Sequence, residues 1–319
     1  MNYDEFVSYV KDSVATISGP DKKVSINHTI KTNGIELDAI VITDKNKPVS
    51  PSIYLNSYYE DYLNGEELGD IVYDIYGIYE KHKNQINIDA SFFEDFEQVK
   101  PKLMFKLINY DLNKKLLRDV PHIRFLDLAI VFYCIINSDS FGSATTLIRN
   151  SQIKFWNVTT KDLLKYSKEN TMTCLPYSIT PMSTIVKDLF RQELETNLLH
   201  DSSLDFCIDE MVREFTDMMS RNDSVEMYVM TNSIKTNGSA TILYSNVLKT
   251  FSKKVGADVY ILPSSLHEVI LIPYTDSLST DSLVHMVREV NEKEVEQADI
   301  LSGNVYIYNS DTDKISLAC

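Results

Sequence analysis

Glycine and proline are scarce, at nine of each in 319 residues. That excludes collagen-like repeats and Gly/Pro-rich linkers, and the ordinary 44% hydrophobic and 24% charged content excludes extensive disorder. Cysteine is sparse too. Cys134, Cys174, Cys207 and Cys319 show no C-x-x-C spacing, so neither a dithiol redox motif nor a zinc ribbon is indicated. Cys134 stands inside an apolar run, where a buried reduced thiol is the ordinary state, and a cytoplasmic location is expected. The opening "MNYDEFVSYV" lacks the basic leader of a secretory signal, and the final cysteine lacks the three following residues of a prenylation box. Long hydrophobic runs are missing as well. The longest, Leu128 to Ile136, has nine residues, where a membrane helix needs about 20. No membrane association is expected.

Positive charge is in deficit. Against 46 acidic residues stand 31 basic ones, a net charge of −15, which opposes polyphosphate partners unless the basic residues cluster. Lys81 with Lys83, Lys114 with Lys115, and Lys253 with Lys254 form only short groups. No nucleic-acid partner is expected. His28, His82, His122, His200 and His285 stand far apart without ligand spacing, so no metal is expected. Phosphate-cradling glycine loops are absent, because the two "GSAT" segments lack the lysine and helix start such a loop requires. No cofactor is expected.

What is present begins with Phe6, Val7, Val10 and Val14 near helical spacing, then two β-prone runs about Asn33-Gly34. The pattern predicts a helix and a hairpin. Ser50-Pro51 predicts the start of a helix carrying Tyr54, Tyr58, Tyr59 and Tyr62 and stopping near Gly65, followed by a second over residues 66–81. A further helical region is predicted over 90–118, broken or kinked at Pro101.

From Pro121 the pattern turns to strands and short helices, and an internal echo appears. "IINSDSFGSATTLI" at 135–148 aligns with "MTNSIKTNGSATILY" at 230–244, and each continues into a short helix ending in a Leu-Pro-x-Ser element. Residues 123–180 and 225–275 are therefore read as two related β-β-α-β units. Long helices to about residue 220 follow the first. After the second come an apolar strand, a helix from Ser279 with Leu283, Met286, Val287 and Val290 on one face, and a last strand in "NVYIYN". The expected fold is α+β, with helices packed on one face of mixed sheets. Its expected regions are a mainly helical one with a hairpin over 1–120, a first unit with helical extension over 121–222, and a second unit with C-terminal helix and strand over 223–319.

The segments "SPSIYLNSYYEDYLNGEELGDI", "RFLDLAIVFYCII", "LPSSLHEVILIP" and "VNEKEVEQADILSGNVYIY" together resemble a family of uncharacterised proteins, a domain of unknown function recurrent in anaerobic gut Firmicutes. The resemblance spans nearly the whole chain. It implies a bacterial intracellular origin and brings no activity, cofactor or site residue with it.

The stretch closest to a catalytic signature is "ILPSSLHEVILIP" at 261–273. His267-Glu268 is half of the H-E-x-x-H zinc helix, but the fifth position is Leu271. The apolar, β-branched content predicts a strand instead, in which His267 and Glu268 point to opposite faces. Ser265 and His267 then share a face about 7 Å apart, too far for a nucleophile and its base, and no G-x-S-x-G turn is present. Ser264 and Ser265 read as turn residues after Pro263. The expectation is a non-catalytic binding or regulatory protein whose partner is another protein. A hydrolase centred on Ser265, His267 and Glu268 is the alternative. Tyr54, Tyr58, Tyr59 and Tyr62, interleaved with acidic residues, form the candidate partner surface; packing into the core with hydroxyls at the rim is the competing reading.

Overall fold

The N-terminal helix opens on an Asn-x-x-Glu box. In α1 (Tyr3–Ser18) the Asn2 side chain accepts from the Glu5 amide at 3.0 Å, and the Glu5 carboxylate accepts from the Asn2 amide at 2.9 Å. Phe6, Val10 and Val14, four residues apart, are fully buried. This computed structural model describes residues 1–44, 50–83, 90–139, 142–197, 211–213, 225–263 and 265–318. No helix among them is long and apolar enough to cross a membrane.

The predicted hairpin forms from β1 (Lys22–Ile30) and β2 (Glu36–Asp44). Asn33 and Gly34 turn it in the left-handed region, at φ of 60° and 74°, as Asn-Gly chemistry allows. The next helix begins later than expected. Residues Ser52–Tyr54 form a short strand, β3, paired with β2, and Ser50 donates its hydroxyl to the Ile42 carbonyl at 2.7 Å instead of capping a helix. The chain then forms α2 (Leu55–Leu63) and α3 (Leu68–His82). Ile40, Ile42, Leu55, Ile71 and Ile75 join the α1 side chains in one core.

The helical region predicted over 90–118 is broken into short helical pieces and interrupted by a strand. A 3-10 turn over Ala90–Phe93, α4 (Phe96–Val99) and a second 3-10 turn over Lys100–Lys102 precede β4 (Leu103–Asn109), with α5 (Lys114–Leu117) after it. Pro101 closes the helical part. Leu103, Met104, Phe105, Leu107 and Ile108 are all buried, so both faces of β4 are covered and no alternation marks it as a strand. β4 pairs with β6 (Leu128–Asp139), which lies between it and β5 (His122–Phe125), and β7 (Gly142–Leu147) also pairs with β6. The helices α6 (Asn150–Trp156) and α7 (Thr160–Cys174) follow.

Two compact units result: residues 1–105, 110–123 and 130–170, and residues 106–109, 124–129 and 171–319. The long continuous stretch of the second opens at Thr171, within the region 121–222 expected from sequence. It contains a six-stranded sheet in the order β13-β12-β10-β11-β9-β8. Its strands are β8 (Tyr177–Pro181), β9 (Tyr228–Asn232), β10 (Val259–Leu262), β11 (Val269–Pro273), β12 (Tyr306–Asn309) and β13 (Lys314–Leu317). Each neighbouring pair in this sheet is antiparallel, as are β1–β2, β2–β3 and β6–β7, so these pairings are not the mixed ones expected.

Helices cover both faces of that sheet, not one. α9 (Val247–Val255) packs Phe251 edge-on against Tyr228, ring centroids 4.9 Å apart. Leu271 is the register partner of Tyr228 and shares its face. On the opposite face α10 (Thr280–Lys293), after Ser279, buries Leu283 and Val287 against Tyr260, Leu262 and Ile272. α8 (Met182–Asn197) follows β8 directly. It is one of the long helices expected towards residue 220; beyond it, apart from 211–213, which are helical, that stretch lies outside the described residues.

The sequence echo does not give two β-β-α-β units. The first "GSAT" belongs to β7, whereas the second lies in a 3-10 segment, Gly238–Leu243. Asn237 takes the left-handed conformation there, at φ 53°, as Asn33 does in the hairpin, yet no hairpin follows it. β8, which ends the first copy, pairs with β9, which begins the second.

Candidate functional site

Residues 263–268 connect β10 to β11, and Leu262 pairs with Ile270 across that hairpin. The segment is bent, not extended. Ser265 donates its amide to the Glu268 carbonyl at 3.3 Å, and the chain bends at Leu266 and His267, so the alternation of side chains expected for a strand does not hold. Ser264 lies outside the described residues.

The bend brings Ser265 and Glu268 together. Ser265, 7% exposed, accepts from the His267 amide at 3.0 Å and donates its hydroxyl to Glu268 Oε1 at 3.3 Å. His267 turns elsewhere. Its Nδ1 accepts the Asn237 amide at 3.3 Å, and its Nε2 lies 3.3 Å from Asp299 Oδ1. A neutral imidazole with its proton on Nε2 satisfies both contacts, because the acceptor Nδ1 must be bare.

The loop backbone is equally committed. The Leu266 amide donates to the Asp299 carbonyl at 2.8 Å, and the Leu266 carbonyl accepts from the amide and hydroxyl of Ser239 at 3.2 and 2.8 Å. The His267 carbonyl accepts the Thr231 hydroxyl at 2.7 Å. Gly238 is required by this closeness. A Cβ added there would collide with that carbonyl and with the Thr231 hydroxyl, so only glycine lets the 3-10 segment lie against the loop.

Catalysis by this set would need a hydroxyl hydrogen-bonded to a free basic nitrogen. Here the serine proton goes to a carboxylate and the basic nitrogen takes a backbone amide. Among the described residues, no three His, Cys, Asp or Glu side chains group as a metal site would. Asn237 and Asp299 were missed from the sequence, since neither stands near His267 in the chain or carries a motif.

Glu268 also lines a cavity of about 640 Å³ in the second unit, between α8 and one face of β8, β9 and β11. Lys235, Thr231 and Asp188 line it too.

The candidate tyrosine surface belongs to the first unit and is engaged from within. Tyr59 and Tyr62 pack their rings on Phe6, at 5.3 and 5.7 Å between centroids. The Tyr59 hydroxyl donates to the Met1 carbonyl and the Tyr62 hydroxyl accepts from the Met1 amine. Tyr58 donates to Asp74 at 2.6 Å, and burial with this bond pushes its phenol well above the usual range. The Lys31 ammonium sits 4.3 Å from the centre of the Tyr54 ring.

No curated protein and no solved structure matches the chain. A family of unknown function, DUF5688, matches residues 3–310, and the chain therefore belongs to that family.

Proposed function

We propose that this chain is a non-catalytic binding or regulatory module that acts on another protein. One observation carries the reading: both ring nitrogens of His267 and the hydroxyl of Ser265 are held by partners inside the fold. General-base catalysis would have to break the Asn237 contact and redirect the Ser265 proton before any substrate could react. The net charge of −15 favours a partner with a basic surface. The free thiols Cys134 and Cys174 support a reducing, cytoplasmic setting.

The test is an assay of the purified protein on panels of chromogenic esters, peptides and phosphoesters. No turnover above buffer is expected. Turnover that Ser265→Ala or His267→Gln abolishes, in variants that keep their melting temperature, would replace this reading with the hydrolase.

A further inference from the structure

The cavity beside Glu268 is built from cross-strand rows. Register places Ser178 opposite Thr231, Thr180 opposite Val229, and Val229 opposite Ile270, so side chains of three strands stand together on one face. One row, Thr180-Val229-Ile270, has a mainly apolar character. The neighbouring row is polar, with Ser178 and Thr231, and Glu268 adjoins it two residues before Ile270. Ile185 and Leu189, one helical turn apart on α8, close the other side. Leu189 is 59% exposed, a large apolar side chain left beside an open cavity.

Lys235 and Glu268 bring opposite charges to the polar end, and Asp188 of α8 is a third charged residue in the lining. Lys235 rides on a turn organised by Asn232, itself 2% exposed. The Asn232 Oδ1 accepts from the amides of Ile234 and Thr236 at 3.2 and 3.3 Å, and its Nδ2 donates to the Thr236 carbonyl at 2.8 Å. Lys235 takes a left-handed φ of 52° within this turn, a conformation that lysine seldom adopts unless its surroundings impose it. Glu268 is fixed by Ser265 through Oε1, which leaves Oε2 open to a ligand. Lys235 and Glu268 line the same cavity, yet among the described residues they form no ion pair with each other, and Lys235 forms none at all.

We infer that this cavity binds a free α-amino acid with an aliphatic side chain. The inference rests on the non-catalytic reading above and gives it a small-molecule ligand. The ligand carboxylate pairs with Lys235. Its ammonium pairs with Glu268 and donates to Thr231, whose hydroxyl proton is already given to the His267 carbonyl, so its oxygen is available as an acceptor. The side chain lies over Val229 and Ile270 beneath Ile185 and Leu189. Both charges of the ligand are needed, because each complements a lining charge of opposite sign. The volume of about 640 Å³ falls within the usual range for small-molecule sites, about 300 to 1,000 Å³.

Isothermal titration of the full chain with L-leucine, L-leucinamide and 4-methylpentanoate tests this. Leucine should bind, with leucinamide and 4-methylpentanoate each weaker by roughly tenfold or more, the loss expected for one charge-assisted contact. Lys235→Met should erase the preference over leucinamide, and Glu268→Gln, which keeps an acceptor for Ser265, should erase the preference over 4-methylpentanoate. Unchanged melting temperatures establish that both variants fold. Absence of leucine binding at millimolar concentration, or binding indifferent to both substitutions, overturns the assignment. Neither result bears on the non-catalytic reading, which falls only to turnover that depends on Ser265 or His267.

Discussion

His267 and Asp299 meet with Nε2 and Oδ1 3.3 Å apart, while the other ring nitrogen is held by the Asn237 amide. Both side chains are about one-third exposed, at 34% each. The pair therefore orients the imidazole more than it stabilises the fold. Asp299→Ala should cost only about 0.5 to 1 kcal/mol in urea denaturation, because solvent screens a pair at this depth. A loss above about 3 kcal/mol would mean that the loop depends on the pair as a buried one would.

Gly238 faces a stricter constraint. Alanine there must displace the Thr231 hydroxyl and the His267 carbonyl, and a cost of about 2 to 4 kcal/mol is expected for such overpacking. Gly69 in α3 is the control, since nothing lies within 4 Å of its added Cβ. Gly69→Ala should be neutral or stabilising by up to about 1 kcal/mol through helix propensity. Chemical denaturation of both variants decides the matter, and equal effects would contradict the described packing.

Asp127 is an acceptor for three groups. Tyr306 donates to its Oδ1 at 2.9 Å, and Ser302 and Asn304 donate to Oδ2 at 2.6 and 3.0 Å. Tyr306 is fully buried, and burial, with the Asp127 charge next, pushes its phenol far above the usual range. Asp127→Ala strands that hydroxyl and should cost about 2 to 3 kcal/mol. In the wild type, absorbance titration with site assignment should show that Tyr306 ionises only when the chain unfolds.

Asp258 makes part of the stability acid-sensitive. Hydrogen bonds from the Ser310 side chain and backbone hold its carboxyl below the usual aspartate value of 3.8, with a further contribution from Asn309. A folded-state value below the unfolded one favours folding when the carboxylate is charged. The contribution is full above the unfolded value and is lost as pH falls through the folded one. Asp258→Asn should therefore be less stable at neutral pH and lose less stability than wild type on acidification below 3.8. Parallel acid limbs for the two proteins would contradict this role.

The two described thiols should differ in reactivity. Burial pushes Cys134 up to about 11, whereas Cys174 is exposed. A thiol-reactive disulfide reagent, followed by peptide mapping, should modify Cys174 in the native protein and Cys134 only after unfolding.

These structural relationships differ in how visible they are along the chain. Local chemistry marks the Asn33-Gly34 hairpin, because two neighbouring residues decide it, and apolar residues at helical spacing mark α1 and the helix after Ser279. β4 is hidden by burial on both faces, which removes the alternation that distinguishes a strand. α10 buries Leu283, Val287 and Asn291 at successive four-residue steps, while Met286, expected on that face, is 45% exposed. The "GSAT" pair illustrates tertiary override: the same four residues form a strand beside β6 and a 3-10 segment against the His267 loop. At 261–273 the turn after Pro263 was legible, but the apolar content after it extends the strand back over His267 and Glu268, which lie in the connection. The Ser265 to Glu268 and His267 to Ser265 bonds that bend it are side-chain choices without a period. The polar cluster was visible, but its partners Asn237 and Asp299 come from distant segments and could be found only in three dimensions.

Nitrogen-15 NMR of the His267 ring tests the central claim most directly, since the two nitrogens report separately which one carries the proton. The account predicts a neutral ring with its proton on Nε2, facing Asp299, and a bare Nδ1 accepting from Asn237. A proton on Nδ1, or a ring that exchanges freely between tautomers, would contradict it.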